Sequence, residues 1–170
     1  MTEIALETPA DSPAVERLLD HAFGPDRQHK TAYRYREGVP PVSGLCFVAR
    51  RDGGIVGSVR HWPTALDTGA TTPLLLGPIA VAESDRRSGI GEQLMRHALL
   101  AAKHAGYSLV VLVGDAGYYG RFGFFPAGDI GVTMPGEDPE RLLARFLGPA
   151  PACFPGGTLL PARQAAAAMG

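Results

Sequence analysis

Residues 74–113 read LLLGPIAVAESDRRSGIGEQLMRHALLAAKHAGYSLVVLV, and this stretch decides the fold. Its first eight residues and the run 108–113 are apolar on both faces, which is typical of strands in the middle of a sheet. Between them, residues 90–105 place apolar side chains at helical spacing with polar ones opposite, and Gly106 ends the helix. The stretch predicts a strand, a helix and a second strand parallel to the first, joined by a right-handed crossover.

The turn that leads into this helix carries the sharpest functional motif. Residues 83–91 read ESDRRSGIG, so two glycines stand at the start of the helix. Glycine lets consecutive backbone N–H groups converge on one point, and a helix N-terminus adds unpaired N–H groups and a positive dipole end. Arg86 and Arg87 add charged hydrogen-bond donors. The pattern favours a diphosphate as ligand; the alternative is a tight turn with solvated arginines.

Two common nucleotide motifs fit this turn poorly. A dinucleotide-binding fingerprint requires a third glycine where Leu94 stands, and a P-loop requires Gly-Lys followed by Ser or Thr, which is absent here. An enzyme that uses Gly89 and Gly91 to bind the diphosphate of NAD or ATP stays a minor alternative.

A second motif lies beyond the second strand, where residues 113–124 read VGDAGYYGRFGF. Together with LGPIAV at 76–81 and Arg86-x-x-Gly89-x-Gly91, it resembles the GNAT family of N-acetyltransferases. The family's signature is Arg/Gln-x-x-Gly-x-Gly/Ala, followed after the helix and the next strand by Tyr-x-x-x-Gly-Phe. The resemblance is strongest over about residues 74–126. It implies an α/β (α+β) fold with a mixed central sheet and helices on both faces, in one domain over residues 1–170.

The resemblance also implies a donor, acetyl-CoA, and a place for it. The coenzyme would lie where the strand at about 74–82 and the strand at about 108–115 splay apart. Gly77-Pro78 is a candidate local cause, because a bulge frees main-chain groups that must find a partner. The first strand would bond the pantetheine arm and the turn would wrap the pyrophosphate. The implied coenzyme-binding residues are Ile79, Ala80, Val81, Arg86, Arg87, Ser88, Gly89, Ile90 and Gly91.

The acceptor is expected to be a primary amine of a small molecule or of a protein, and its direct attack on the thioester requires a proton donor, an oxyanion donor and a base. By the family's spacing Tyr119 is the catalytic acid, since a phenol still donates at neutral pH; packing against the cleft floor is the alternative. The Val81 N–H is the candidate oxyanion donor. Three candidates for the base stay open: Glu83, His61 and Asp115. Each has a structural explanation as well, namely ion pairing with the nearby arginines, packing in the hairpin, and helix capping. No metal is expected.

The acceptor is expected at the other mouth of the cleft. Its candidate contacts come from a helix predicted at 26–37 and a hairpin predicted from 45–50 and 55–62: Tyr33, Arg34, Tyr35, Arg36, Arg60, His61 and Trp62. Several arginines suit a carboxylate-bearing amine, but a solvated helix face explains them as well. The alternative to an enzyme is a non-catalytic acyl-CoA sensor or scaffold on the same fold, and the presence of Tyr119 favours the enzyme.

Composition narrows the class of protein. Of 170 residues, 16 are Lys or Arg and 17 are Asp or Glu, and this near neutrality argues against nucleic acid or an anionic membrane as the main partner. The apolar run 73–82 is about half the length of a membrane-spanning helix, and the first residues do not resemble a secretory signal. Two cysteines, Cys46 and Cys153, expected to be small buried residues, form no disulfide framework or metal-ligand spacing. A cytoplasmic setting is expected, and a homodimer stays open.

The flanking segments complete the predicted order of elements. A strand is expected at 2–8 and a helix from Asp11 or Ser12 to Gly24. Beyond the central stretch, a short helix is expected at 116–122, another helix at 139–147, and a frayed tail at 164–170.

Overall fold

The computed structural model describes residues 1–168. Nine strands form a mixed sheet: β1 Glu3–Leu6, β2 Phe47–Arg51, β3 Gly54–Leu66, β4 Leu74–Val81, β5 Leu109–Val113, β6 Phe125–Pro126, β7 Val132–Thr133, β8 Leu142–Phe146 and β9 Gly157–Pro161. The main path runs β1-β2-β3-β4-β5-β8-β6, and β9 pairs with both β3 and β7. The helices are α1 Ser12–Phe23, α2 Thr31–Arg34, α3 Ile90–His104, α4 Ala116–Tyr119 and α5 Ala162–Ala168.

The predicted strand, helix and strand at 74–113 are confirmed as β4, α3 and β5, with β4 and β5 parallel. The apolar stripe of α3, including Ile90, Leu94 and Ala98, is buried against the sheet. Gly57 in β3 makes this close approach possible, because a Cβ there would lie 2.8 Å from Leu94 Cδ1. This packing fixes the position of the α3 N-terminus relative to the sheet.

The opposite face of the sheet is covered by α1, which buries Val15 and Leu19 against Val48 and Ala80. Helices thus lie on both faces, and the expected α/β class with a mixed sheet is confirmed. The strand and helix predicted at the beginning of the chain are present as β1 and α1. Among the described residues, no helix combines the length and apolarity needed to cross a bilayer.

The helix predicted at 26–37 is wrong in extent. Residues 27–29 form a 3-10 turn and α2 is a single turn. The reason is tertiary: the Arg27 side chain is buried and donates to Glu16, Asp20 and the Tyr33 hydroxyl. Tyr35 is buried as well and donates to the Leu159 carbonyl, 3.0 Å away. Lys30, between the 3-10 turn and α2, has an extended backbone with φ −69° and ψ 145°, so the two do not join as one helix.

Two predictions near the end of the chain are also wrong. Residues 142–146 form the strand β8 rather than part of a helix, because they complete the open edge of β5 as an antiparallel neighbour. The tail expected to be frayed from residue 164 is the helix α5 up to Ala168; residues 169–170 lie outside the described part of the chain. The hairpin strand β3 runs beyond the predicted residue 62 to Leu66, since its second half pairs with β9.

Candidate active site

The two central parallel strands separate along most of their length. Pairing between β4 and β5 is confined to Leu74 with Val110 and Leu75 with Val111. On the other side of β4 the ladder with β3 shifts register, so that two residues, 77 and 78, lie opposite one. This bulge is at the Gly77-Pro78 step, where the sequence suggested it, and Trp62 Nε1 donates to the Gly77 carbonyl at 2.7 Å. A gap opens between the strands from this point onward.

The register of β4 turns alternate main-chain groups into the gap. The Ala82 N–H donates to the Val56 carbonyl at 2.8 Å, so residues 82 and 56 form a hydrogen-bonded pair. In an antiparallel ladder such pairs alternate with non-hydrogen-bonded ones. Val81, opposite Gly57, and Ile79, opposite Val59, therefore direct their N–H and C=O groups away from β3. They point towards the side where β5 no longer pairs, so an extended ligand can bond to them.

The turn before α3 presents a row of free N–H groups. Arg87 and Gly89 have positive φ angles of 66° and 84°. Within the described residues, the N–H groups of 87 and 89–92 donate to no backbone carbonyl. Such a run of N–H groups at a helix start is an anion-binding arrangement.

The buried carboxylate of Asp85 stabilises the turn before α3. Asp85 is 6% exposed and accepts from Arg51 and from the Ser84 hydroxyl, while the Ser88 hydroxyl donates to the Asp85 carbonyl. The partner of Asp85 is thus Arg51 rather than the arginines of the turn. In the part of the chain that the structure describes, Arg86 and Arg87 form no ion pair, and both are exposed. Their charge is free for a ligand.

Two cavities meet along the gap. The first, the turn cavity, has a volume of about 590 Å³. It is lined by Ala22, Phe23, Ile79, Ala80, Val81, Asp85, Arg86, Arg87, Gly89, Ile90, Gly91, Glu92, Tyr118 and Arg121. Every coenzyme-binding residue expected from the sequence lines it except Ser88.

The second, the splay cavity, has a volume of about 380 Å³. It is lined by Phe23, His29, Lys30, Thr31, Ala32, Tyr33, Arg36, Leu75, Leu76, Gly77, Pro78, Ile79, Leu112, Val113, Tyr119, Glu137 and Arg141. Phe23 and Ile79 line both cavities, so two ligands bound in them would meet beside these residues.

Tyr119 lies in the wall of the splay cavity, while its neighbour Tyr118 lines the turn cavity. The two rings are in edge contact with centroids 4.9 Å apart. The Tyr119 ring packs directly on Gly114, where a Cβ would lie 2.3 Å from it. Burial raises the pKa of Tyr119 to about 12, so its hydroxyl stays protonated at neutral pH.

The three candidate bases lie elsewhere, and none lines either cavity. Glu83 is exposed on the 3-10 turn 83–85. Asp115 caps α4 and accepts from the Tyr118 N–H at 3.0 Å. His61 is fully buried, with Nδ1 2.9 Å from the Leu45 carbonyl oxygen, and burial lowers its pKa.

The structure divides the expected acceptor contacts. Tyr33 and Arg36 line the splay cavity, and Trp62 lies behind Arg36. The remaining ones, Arg34, Tyr35, Arg60 and His61, do not line it. Arg60 is buried in ion pairs with Glu7 and Glu16.

Sequence reasoning missed Glu137 and Arg141, which close the splay cavity from the loop before β8. The loop is held against α2 by the Thr31 hydroxyl, which donates to the Gly136 carbonyl at 3.1 Å. Their surroundings, PGEDPER at 135–141, are typical of an exposed turn. Only the pairing of β8 with β5 brings them to the cavity.

Neither cysteine contributes to the cavities near Tyr119. Cys46 is buried as expected and burial raises the pKa of its thiol, whereas Cys153 is exposed, contrary to expectation. Over residues 1–168, no three His, Cys, Asp or Glu side chains are grouped as a metal site would require.

The sequence matches a known protein family and two related proteins. Residues 43–126 match the family model of an acetyltransferase (GNAT) domain. The chain is 33% identical over 138 residues to the uncharacterized N-acetyltransferase YhbS of Escherichia coli K12, covering 79% of this chain and 81% of YhbS. It is 28% identical over 135 residues to the uncharacterized N-acetyltransferase YjhQ of the same organism, covering 78% and 75%.

Solved structures show the same fold. The GNAT-family N-acetyltransferase YhbS from Escherichia coli, solved in complex with CoA, matches with a TM-score of 0.79 and 27% identity, over 93% of this chain and 88% of YhbS. A GNAT-family acetyltransferase from Brucella melitensis, solved with acetyl-CoA, matches with a TM-score of 0.70 and 24% identity, over 94% and 95%.

Proposed function

The chain belongs to the GNAT family of N-acetyltransferases, and from this premise we propose that it transfers the acetyl group of acetyl-CoA to a primary amine within a ternary complex. One observation carries the proposal. Two cavities share Phe23 and Ile79; one is lined by residues with free main-chain N–H groups, and Tyr119 lines the other. The continuous sheet from β1 to β9 supports a single domain.

Acetyl-CoA would occupy the turn cavity. Its pyrophosphate would accept from the N–H groups of residues 87 and 89–92, and the positive end of α3 and the unpaired Arg86 and Arg87 would balance its charge. Its pantetheine amides would bond to the groups that Ile79 and Val81 direct into the gap. The related YhbS structure holds CoA, which supports this assignment.

The transfer needs one bond formed and one broken. The neutral amine nitrogen attacks the thioester carbon, and the carbonyl oxygen becomes an oxyanion that the Val81 N–H, directed away from β3, would stabilise. As the carbon–sulfur bond breaks, the Tyr119 hydroxyl donates its proton to the sulfur. Because burial raises the pKa of Tyr119, its hydroxyl is protonated at neutral pH and is available as the donor.

The amine must also lose a proton. Within the described part of the chain, Glu137 is the one carboxylate that lines the splay cavity. It is half-buried at the opening of this cavity, so a proton can pass to it directly or through a water molecule. We therefore assign the role of proton acceptor to Glu137 rather than to Glu83, His61 or Asp115, all of which lie outside both cavities.

The test is a thermal-shift titration followed by an assay of thiol release over a panel of primary amines. CoA and acetyl-CoA should raise the melting temperature, NAD and ATP should not, and thiol should be released only with an amine present. Coenzyme binding without release for any amine would contradict acetyl transfer and favour a sensor. Stabilisation by NAD or ATP in place of CoA would contradict the donor itself.

A further inference from the structure

Arg36 is half-buried, and its guanidinium has no anionic partner among the described residues. Its Nε and Nη1 atoms are inaccessible to solvent and have no hydrogen-bond partner among residues 1–168. Its guanidinium lies over the Tyr33 ring, 4.5 Å from the centroid, and 5.8 Å from the centroid of Trp62. These two rings hold its plane without neutralising its charge.

Unlike Arg36, the neighbouring arginines Arg27 and Arg60 form ion pairs. Arg27 is paired with Glu16 and Asp20, and Arg60 is paired with Glu7 and Glu16. Arg36 lies near both of these cations and has no such carboxylate in the described residues. Burial lowers its pKa to about 10, which still leaves it charged at neutral pH. An unpaired buried charge is costly, so a partner is expected from outside the chain.

The guanidinium faces the place where such a partner can bind. Arg36 lines the splay cavity together with Tyr119, and its Nη2 lies 3.3 Å from the position that a Gly77 Cβ would take. The absence of a side chain at Gly77 leaves the donor open towards the bulge in β4. An anionic ligand oxygen at this place can accept a charge-assisted hydrogen bond from Nη2.

We propose that the acceptor is a small amine that carries a carboxylate, and that Arg36 binds this carboxylate while the amino group lies between Glu137 and Tyr119. This proposal rests on the acetyl transfer proposed above and specifies its substrate class. A volume of about 380 Å³ is at the small end of ligand pockets, which fits a compact amino acid. The cavity supplies a cation for the carboxylate and a carboxylate for the ammonium group.

The test compares acids with matched neutral amines. Glycine, β-alanine, L-leucine and L-phenylalanine are each assayed against the corresponding amide and the decarboxylated amine, with acetyl-CoA and wild-type protein. We expect at least one acid to be acetylated with a kcat/KM about 10- to 100-fold above its amide. Phosphoethanolamine, compared with β-alanine, separates a carboxylate site from a phosphate site. Faster acetylation of phosphoethanolamine, or of all amides, would overturn the proposal.

Arg36→Met provides the second arm, with Arg34→Met as its matched control because Arg34 is exposed and lies outside the cavity. Methionine keeps an unbranched apolar stem between the two rings and removes the charge. We expect Arg36→Met to abolish the preference for acids over amides, to leave the Kd for CoA unchanged, and to raise the melting temperature of the ligand-free protein. Arg34→Met should change none of these.

Binding measurements keep the two proposals distinguishable. The acids that are substrates, or failing turnover the acids of the panel, should raise the melting temperature of wild-type protein with CoA bound, but not that of Arg36→Met. Acetylation of amines with no acid preference in either protein would overturn the substrate class and leave the proposed transfer intact. Binding of acids through Arg36 without any thiol release would overturn the transfer and leave the carboxylate site intact.

Discussion

The turn cavity and the splay cavity are built from different parts of the polypeptide. Most of the residues that line the turn cavity come from one short stretch, residues 79–92, whose free N–H groups are held by helix geometry and two positive φ angles. The splay cavity is lined by residues from several segments between residues 23 and 141. The site assigned to the donor therefore depends on local sequence, whereas the site assigned to the acceptor exists only once distant segments pack together.

Tyr119 is the proposed proton donor, and the loss of its hydroxyl should give the largest effect. Tyr119→Phe deletes the proton donor while keeping the ring that packs on Gly114, so the fold should persist. We expect kcat to fall by at least about 100-fold, with the Kd for CoA unchanged. Steady-state kinetics and calorimetry measure the two quantities. Tyr118→Phe, the matched control on the turn-cavity side, should lower kcat by less than about threefold.

The pH profile adds a check on the same residue. Because burial raises the pKa of Tyr119 to about 12, the protonated donor persists as the pH rises and is lost only near that value. Wild-type kcat should therefore show no loss from this group up to about pH 10. An alkaline loss with an apparent pKa near 9 that disappears in Tyr119→Phe would refute the assignment.

Gly91→Val tests the role of the turn cavity alone. A Cβ at this position would lie 3.5 Å from Val81 Cγ2 and 3.6 Å from the Tyr118 hydroxyl, so it fits the fold but projects towards the turn cavity. We expect CoA binding to weaken by about 100-fold while the melting temperature of the free protein stays within a few degrees. Calorimetric titration measures the loss. Gly148→Val, at an open surface position, is the control, and equal CoA affinity in both variants would argue against a diphosphate on this turn.

Gly114→Ala displaces the Tyr119 ring without removing a functional group. The added methyl would lie 2.3 Å from Tyr119 Cε2, so the ring must move. We expect kcat to fall by about tenfold with CoA affinity retained, because small misplacements of a catalytic group are costly. Gly120→Ala, whose Cβ would meet nothing within 4 Å, is the control. Identical kcat in the two variants would show that the position of this ring is unimportant.

The smallest effect concerns the ion pairs that support the splay cavity. Burial alone would raise the pKa of Glu16, but hydrogen bonds from Arg60 and Arg27 outweigh it and hold that pKa below 4.5, and Arg27 in turn donates to the Tyr33 hydroxyl at 2.8 Å. A lowered pKa stabilises the fold above pH 4.5, and this contribution is lost as the pH falls through the folded value. The loss should be below about 1 kcal/mol, since Glu16 is partly exposed.

Thermal melts of wild type and Glu16→Gln at pH 6.5 and pH 3.5 test this contribution. The decrease in melting temperature on acidification should be smaller in the variant. Equal decreases would show that Glu16 contributes nothing to acid sensitivity.

The same contrast explains what could be predicted from the sequence. The strand, helix and strand at 74–113 follow from periodicity, and the turn before α3 follows from Gly89 and Gly91, because local main-chain geometry depends on local residue types. The Gly77-Pro78 step, which forms the bulge, also predicts the gap between β4 and β5. The structure confirms these elements as the local sequence pattern predicts them.

The splay cavity could not be predicted in this way. Arg36 lies in a segment that resembles an exposed helix, and only the structure shows that two of its guanidinium nitrogens are buried while the adjacent Tyr35 turns towards Leu159. Glu137 stood in a turn rich in proline and glycine, and it reaches the cavity because β8 pairs with β5 instead of forming a helix. Long-range pairing and buried charge have no signature in a single sequence.

A crystal structure of the protein grown with CoA and β-alanine would test the division between the two cavities most directly. We expect the pyrophosphate within hydrogen-bond distance of the N–H groups of residues 87 and 89–92, the CoA sulfur beside the Tyr119 hydroxyl, and the carboxylate on Arg36. A coenzyme bound elsewhere, with this turn unoccupied and its sulfur remote from Tyr119, would contradict the central assignment.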